Sequence, residues 1–157
     1  MTLRVLIADD DQMLREGLRC ILESKEDIEV VGEAGDGKTA VDMARALLPD
    51  VVIMDIAMPG LNGMDATRQI KATNPAVKVI ALSIHSNKLY VLGMLEAGAS
   101  GYVLKAAVYD ELHRSVQAVG QGKSYLSPDI SDVIVDARNR APRATALGPR
   151  AGNSGGG

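Results

Sequence analysis

Four apolar runs of this sequence each end in polar residues whose chemistry is unusual for a protein core. These residues are Asp9 and Asp10, then Asp55, Ser83 and Lys105. Asp55 follows the apolar residues 51–54, a pattern typical of a strand that is buried on both faces. Because a lone carboxylate is costly to bury, we expect Asp55 at the carboxyl end of its strand. Open parallel sheets bind ligands beyond the carboxyl ends of their strands, so these residues are candidates for one shared site.

The residue types indicate chemistry on a phosphoryl group. Three carboxylates at one edge would repel and raise one another's pKa values unless a cation lay between them. A ligand set made only of oxygen favours Mg²⁺ over zinc. Lys105 as a point charge and Ser83 as a hydrogen-bond donor suit a tetrahedral dianion. Since carboxylates can act as nucleophiles towards phosphoryl groups, the residues predict an Mg²⁺-dependent phosphoacceptor at Asp55.

The spacing of apolar residues indicates five strands that alternate with five helices. The strands are predicted over residues 3–8, 28–31, 51–55, 77–82 and 101–104. The helices are one with Leu14, Leu18, Ile21 and Leu22 on a single face, a second that ends before Pro49, and three over about 64–73, 88–96 and 110–119. Asp11 suits the N-cap of the first helix. This alternation predicts an α/β fold with a doubly wound, five-stranded parallel sheet and right-handed crossovers.

Composition narrows the class of protein. The 157 residues suit one domain with a tail. The longest apolar runs are strand-sized and no signal-peptide pattern opens the chain, so we expect a cytoplasmic protein without a membrane partner. The net charge of −3 and the absence of Trp and Phe argue against nucleic-acid binding by this chain itself. The single cysteine, Cys20, excludes an internal disulfide and is expected to be a small buried side chain of the first helix.

The end of the chain gives a weaker pattern. Ser127 suits an N-cap and Pro128 the first position of a helix. Ile130, Val133 and Ile134 follow at helical spacing. From Asp136 onward Ala, Arg, Pro and Gly dominate, which predicts a flexible linker or tail.

The sequence resembles a bacterial two-component response-regulator receiver domain over about residues 1–135. The residues that carry the resemblance are Asp9-Asp10, the run from Met54-Asp55 through Met58-Pro59-Gly60 to Asn62-Gly63, Ser83, and the run from Gly101-Tyr102 to Lys105. Met13-Leu14-Arg15 and residues 98–102 bring it closest to the subfamily with a LuxR-type helix-turn-helix output domain. The resemblance implies the flavodoxin-like (βα)5 receiver fold with strand order 2-1-3-4-5.

The resemblance also implies roles for individual residues. Asp55 would be phosphorylated by a sensor histidine kinase, in a self-catalysed transfer followed by autodephosphorylation rather than the turnover of an enzyme. Mg²⁺ would be bound by Asp10 directly, by Asp9 largely through water, by Asp55, and by the backbone carbonyl of Ala57. Lys105 would pair with the phosphoryl oxygens. Ser83 would turn to hydrogen-bond the phosphate and Tyr102 would rotate inward, as the switch. His85 is expected in a loop near the phosphate, and His113 on the surface of the fifth helix.

Implied domains and partners follow from the same resemblance. Residues 1–127 would form the receiver domain and 128–157 a linker helix and flexible tail, with the DNA-binding output domain absent from this chain. Phosphorylation would produce a homodimer, through helices one and five or through strand five with helices four and five. The absent output domain is interpreted as truncation, with a frameshift and a free-standing receiver as alternatives.

Two other functions fit the residues less well. Phosphatases that resemble the haloacid dehalogenases carry a second aspartate two positions after the nucleophile, where this chain has Ala57. A pseudo-receiver that acts only as a protein-interaction module typically lacks an acidic, hydroxyl or lysine position, and all of them are present here. The phosphorylation switch is therefore the favoured interpretation.

Overall fold

Strands and helices alternate along residues 2–131, which are the residues that this computed structural model describes. The strands are β1 (Leu3–Ala8), β2 (Ile28–Ala34), β3 (Val51–Asp55), β4 (Lys78–Ser83), β5 (Gly101–Leu104) and β6 (Tyr125–Leu126). The helices are α1 (Gln12–Glu23), α2 (Gly37–Leu47), α3 (Gly63–Thr73), α4 (Lys88–Ala97) and α5 (Val108–Gly120), with a 3₁₀ turn at Lys105–Ala107. Residues 128–131 are helical, as the Ser127-Pro128 pair predicts. The predicted linker and tail beyond residue 131 lie outside the described residues.

One parallel sheet contains all of these strands, in the order β2-β1-β3-β4-β5-β6. The predicted parallel α/β fold and the order of the first five strands are confirmed. The prediction of five strands is wrong, because β6 adds a sixth beside β5. With only two residues, β6 is too short to show a strand pattern. Strand β2 also continues to Ala34, past the predicted end at residue 31. The prediction ended too early because the last residues of the strand lack regular apolar alternation.

Side-chain caps fix where the helices begin. The carboxylates of Asp11 and Asp36 and the amide oxygens of Asn62 and Asn87 accept backbone N–H groups from the first turns of α1 to α4. Such caps satisfy donors that have no partner within the helix. They all lie in the loops that leave the carboxyl ends of β1 to β4, so these loops are held firmly where the predicted site is located. The N-cap role expected of Asp11 is confirmed.

Apolar side chains fill both faces of the sheet. α1 and α5 pack on one face, and α2, α3 and α4 on the other. β3 is buried along its whole length, as its sequence predicts. Cys20 is exposed rather than buried, because it lies away from the face of α1 that carries Leu18 and Leu22. Within residues 2–131, no helix combines the length and the apolar character that crossing a membrane requires.

Candidate functional site

The register of the sheet carries the predicted site residues to one edge. Asp55, the last residue of β3, pairs with Leu82 of β4, so Ser83 lies one position beyond it. Ser83 in turn pairs with Leu104 of β5, so Lys105 again lies one position further. Parallel strands with this stagger place their polar terminal residues side by side at the carboxyl edge.

Three carboxylates meet at this edge. One oxygen from each of Asp9, Asp10 and Asp55 lies within 4.8 Å of the others, with Asp10 exposed and the other two buried. Each buried carboxylate has one satisfied oxygen. Asp9 Oδ1 accepts from the backbone N–H of Asp11 at 2.8 Å, and Asp55 Oδ1 accepts from that of Ala57 at 3.1 Å. These bonds set the direction in which both carboxylates point.

The second oxygens of the two buried carboxylates lack hydrogen bonds. Oδ2 of Asp9 and Oδ2 of Asp55 are buried and accept none from the described residues. The ammonium group of Lys105 lies 3.2 Å from the first and 3.3 Å from the second, at ion-pair distance. One cation facing two buried anions leaves the cluster short of positive charge. The all-oxygen donor set and these two free oxygens fit a hard divalent cation such as Mg²⁺.

Burial and charge shift the pKa values in the cluster. Burial, followed by the negative charge of Asp9, raises the pKa of Asp55 to about 6, against the opposing effect of Lys105. Burial alone would lower the pKa of Lys105, but the carboxylates of Asp55 and Asp9 outweigh it and raise that pKa. A cation beside Asp55 would therefore favour its ionised form, which is the nucleophilic one.

Ser83 and Tyr102 are connected through His85. The backbone N–H of His85 donates to Ser83 Oγ at 2.9 Å, and the hydroxyl of Tyr102 donates to the carbonyl oxygen of His85 at 2.7 Å. Ser83 and the ring of Tyr102 are both buried. The ring is thus already inside in this conformation, and the inward rotation stays a prediction. Sequence reasoning selected Ser83 and Tyr102 but did not connect them through the backbone of His85.

A cavity of about 270 Å³ opens beside the cluster. It is lined by Ile56, Ala57, Asn62, Met64, His85 and Tyr90. The imidazole of His85 stacks on the ring of Tyr90, with centroids 4.1 Å apart. His85 therefore lies in the loop at the rim of the site, where the sequence places it. His113 is remote, and its Nε2 lies 3.0 Å from Asp27 Oδ1.

Arg15 supports the acidic loop and was not predicted as a site residue. Its Nη1 donates to the backbone carbonyl of Asp9 at 2.6 Å, and its Nε donates to Glu33 at 3.1 Å. Arg19 also donates to Glu33, at 2.8 Å. The hydrogen bond from Arg19, and after it that from Arg15, lowers the pKa of Glu33 against the opposing effect of burial. Nothing in the sequence pairs residues on α1 and β2 in this way, since charged residues on a helix are usually solvated.

Two glycines let the surrounding helices approach the site closely. A Cβ atom on Gly63 would overlap the carbonyl oxygen of Asp55, and one on Gly37 would overlap that of Leu61. The N–H of Gly63 donates to Ile56 at 3.0 Å. The backbone after Asp55 is thus packed directly against the starts of α3 and α2. Gly63 belongs to the run that carries the family resemblance, but its contact with the backbone of Asp55 appears only in three dimensions.

Sequence comparisons identify the family to which this chain is similar. The family profile of the response regulator receiver domain matches residues 5–117. The chain is 41% identical over 138 residues to the transcriptional regulatory protein DegU of Brevibacillus brevis, covering 88% of this chain and 58% of DegU. It is 40% identical over 129 residues to the response regulator UvrY of Escherichia coli K12, covering 82% and 59%. The chain therefore spans about three fifths of the length of these relatives.

Solved structures of response regulators also align with this chain. A LuxR-family two-component response regulator from Aurantimonas sp. SI85-9A1 aligns with a TM-score of 0.84 and 36% identity, over 88% of this chain and 99% of that one. The isolated REC domain of RcsB from Salmonella enterica serovar Typhimurium, with the phosphomimetic BeF3−, aligns with a TM-score of 0.78 and 29% identity, over 85% and 99%.

Proposed function

The chain belongs to the response regulator receiver family, among relatives of the LuxR/NarL type, and on this premise we propose that Asp55 accepts a phosphoryl group from a sensor histidine kinase. Receiver domains are signalling domains rather than classical enzymes. The observation that supports the proposal best is the pair of buried Oδ2 atoms of Asp9 and Asp55 that share the single ammonium group of Lys105. Two buried carboxylates with one counter-ion destabilise the fold, and a role in phosphoryl transfer explains why the chain carries them.

Mg²⁺ is the proposed cofactor. The carboxylates of Asp9, Asp10 and Asp55 and the backbone carbonyl of Ala57 would hold it, and it would neutralise charge on the cluster and on the phosphoryl oxygens. Exposed Asp10 would bind the ion directly, and buried Asp9 would bind it largely through water.

The transfer uses the groups of this chain as follows. A carboxylate oxygen of Asp55 attacks phosphorus; a P–O bond forms and the P–N bond of the donor phosphohistidine breaks. The donor imidazole leaves with the electron pair and takes up a proton. Lys105 shifts from the carboxylates towards the phosphoryl oxygens and stabilises the charge that develops there. The donor would approach through the cavity that is lined by Ala57 and His85.

The switch would follow from the same transfer. Ser83 Oγ accepts from the N–H of His85, and to donate to the phosphate it must turn its hydroxyl towards Asp55. The hydroxyl of Tyr102 donates to the carbonyl oxygen of the same His85. Movement of Ser83 would therefore shift the backbone of His85 and alter its hydrogen bond with Tyr102. A local charge event can in this way bias the surface formed by β5 and α4.

The proposed consequence is control of transcription. Residues 1–127 would act as the receiver domain and the residues after them as the linker to a helix-turn-helix output domain, as in longer regulators of this type. Phosphorylation would favour a homodimer, through α1 and α5 or through β5 with α4 and α5. Both faces carry exposed apolar side chains, with Met13 and Tyr109 on the first and Leu89 and Leu92 on α4.

The deciding experiment is intact-mass spectrometry after incubation with Mg²⁺ and acetyl phosphate. One added phosphoryl group is expected on the wild-type chain and none on Asp55→Asn. Asp110→Asn, which removes an exposed carboxylate at the start of α5, serves as the matched control and should label like the wild type. A wild-type chain that binds Mg²⁺ but takes no phosphoryl group would contradict the proposal and favour a protein-interaction module.

A further inference from the structure

The last described part of the chain is hydrogen-bonded to β5 and to the residue before it. We call residues 125–131 the exit segment. The N–H of Tyr125 donates to the carbonyl of Ser100 at 3.1 Å, and that of Ser127 donates to the carbonyl of Tyr102 at 3.0 Å. Ile130 is fully buried in the same apolar cluster as Tyr102. The exit segment is therefore an integral part of the fold at the strand that carries Tyr102 and leads into Lys105.

Ser127 joins three elements through one buried hydroxyl group. The residue is 1% exposed. Its Oγ donates to Glu111 Oε1 of α5 at 2.7 Å and accepts from the backbone N–H of Leu104 at 3.2 Å. Glu111 is also buried, and the same Oε1 accepts from the hydroxyl of Tyr125 at 2.9 Å. Two hydroxyl groups of the exit segment thus converge on one carboxylate of α5.

This hydroxyl group holds the backbone immediately before Lys105. Leu104 is the last residue of β5, and Lys105 begins the 3₁₀ turn that leads into α5. The carbonyl oxygen of Lys105 accepts from the N–H of Val108. The backbone of Lys105 is therefore fixed on one side by its own turn and on the other side by Ser127, a residue of the exit segment.

We propose that Ser127 is a positioning residue for Lys105, and that the bonds of Ser127 to Leu104 and Glu111 couple the phosphoacceptor site to the exit segment. The inference rests on the proposed function of Lys105 towards a phosphoryl group. Coupling between two sites is reciprocal: if the exit segment holds Lys105 in place, then drawing Lys105 to a phosphoryl group alters the exit segment. Phosphorylation would in this way reach the residues that follow 131 without passing through α4.

The test compares two buried serines. Ser127→Ala removes the bridging hydroxyl, whereas Ser115→Ala removes a buried hydroxyl of α5 that, among the described residues, donates only to Leu112 of its own helix. The full chain is incubated with Mg²⁺ and acetyl phosphate, and labelling is followed by intact mass. Ser127→Ala removes the hydrogen bonds to both Leu104 and Glu111, and loss of the one that holds the backbone before Lys105 predicts labelling about three- to tenfold slower. Labelling of Ser115→Ala should match the wild type.

Mg²⁺ affinity, measured by calorimetry, separates positioning from a general structural role. Lys105 lies on Oδ2 of Asp9 and Asp55, two of the proposed metal-binding oxygens, so a displaced Lys105 should leave the Mg²⁺ affinity of Ser127→Ala unchanged or higher, whereas a general structural defect should lower it. Glu111→Gln, which keeps an acceptor oxygen for Ser127, should label faster than Glu111→Ala. Amide exchange adds a readout in the opposite direction: beryllofluoride should slow exchange in residues 125–131 of the wild type by about fivefold or more, and much less in Ser127→Ala.

The possible failures are distinct. Equal labelling of Ser127→Ala and wild type, with Lys105→Gln impaired, would overturn the inference and leave the proposed function intact. A parallel loss of Mg²⁺ affinity in Ser127→Ala would also overturn it, because the effect would then be one of general structure. A wild-type chain that takes no phosphoryl group would remove the proposed function and this inference with it.

Discussion

The ammonium group of Lys105 lies 3.3 Å from Oδ2 of Asp55, an oxygen that is buried and accepts no hydrogen bond from residues 2–131. The same ammonium group also faces Asp9, at 3.2 Å. Lys105 is thus the internal counter-ion of both carboxylates as long as no other cation is bound. A cation at the acidic cluster would take over that role and free Lys105 for the phosphoryl group. Metal binding at the carboxylates would therefore prepare Lys105 to bind the phosphoryl group.

Replacing Lys105 tests this directly. Lys105→Gln keeps most of the side chain and removes the charge, so phosphoryl transfer should fall by about 10² to 10³ because one preorganised charge is lost from the transition state. Mg²⁺ should still bind, since its proposed ligands remain. Labelling is followed by intact mass, with Lys71→Gln as the control. Lys71 is also partly buried, and within residues 2–131 it donates only to the carbonyl oxygens of Pro75 and Val77, at 2.6 and 2.9 Å. Labelling of Lys105→Gln near the wild-type rate would contradict the assigned role.

The raised pKa of Asp55 predicts a stability cost in metal-free buffer. The folded-state pKa is about 6 against an ordinary value of 3.8. Between these values the folded state binds more protons than the unfolded state, so the contribution of Asp55 to stability falls as pH rises and its cost is fully present above about pH 6. Asp55→Asn should therefore stabilise the metal-free chain by about 1 to 2 kcal/mol at pH 8 and by less at pH 4.

Denaturant unfolding at the two pH values, with a chelator present, measures this effect. Asp110→Asn is again the control, because its carboxylate is exposed and should show no such gain. Adding Mg²⁺ should stabilise the wild type more than Asp55→Asn. If Asp55→Asn is less stable than the wild type at pH 8 without metal, then Asp55 is not under the proposed strain.

Sequence reasoning found the fold because its signals are local and repeated. Buried β3 and the alternating helices show their periods in the printed residues. The polar strand ends Asp55, Ser83 and Lys105 come together because a parallel sheet brings its carboxyl ends to one edge. The residues that were missed act through long-range contacts instead. Arg15 on α1 contacts Glu33 on β2 and the backbone of Asp9. Ser127, just after the two-residue strand β6, contacts Leu104. Neither contact leaves a periodic pattern.

Arg15 and Arg19 form a matched pair for testing support of the metal site. Both donate to Glu33, but only Arg15 also bonds to the carbonyl of Asp9. Arg15→Gln should lower Mg²⁺ affinity about three- to tenfold, because the acidic loop loses a charge-assisted hydrogen bond. Arg19→Gln should leave that affinity within about twofold, since Arg19 pairs only with Glu23 and Glu33 among the described residues and does not bond to the acidic loop. Calorimetric titration measures both, and equal affinities in the two variants would remove the special role of Arg15.

Dimer formation should accompany occupation of the site. We expect the mass of the chain, measured by light scattering after size exclusion, to double with Mg²⁺ and beryllofluoride. Tyr109→Glu introduces a charge beside α1, where the ring of Tyr109 packs on Gly17, and Leu89→Glu does so on α4. Burying a new charge in an interface is costly, so the variant that stays monomeric identifies the face. A wild-type chain that stays monomeric with beryllofluoride would exclude both faces.

Alanine substitutions at Gly63 and Gly60 distinguish the effect of steric crowding from that of backbone strain in the loop after Asp55. A Cβ on Gly63 would overlap the backbone of Asp55, whereas one on Gly60 would meet nothing within 4 Å. Gly60 has a φ of +71°, a conformation that side chains disfavour. Gly60→Ala should therefore cost about 1 kcal/mol of stability with Mg²⁺ affinity preserved. Gly63→Ala should cost more, about 2 to 4 kcal/mol, because backbone must move. It should also weaken Mg²⁺ binding, since the displaced backbone is that of Asp55. Denaturant unfolding and calorimetry of the two variants measure these effects, and preserved Mg²⁺ affinity in Gly63→Ala would show that this contact does not set the position of Asp55.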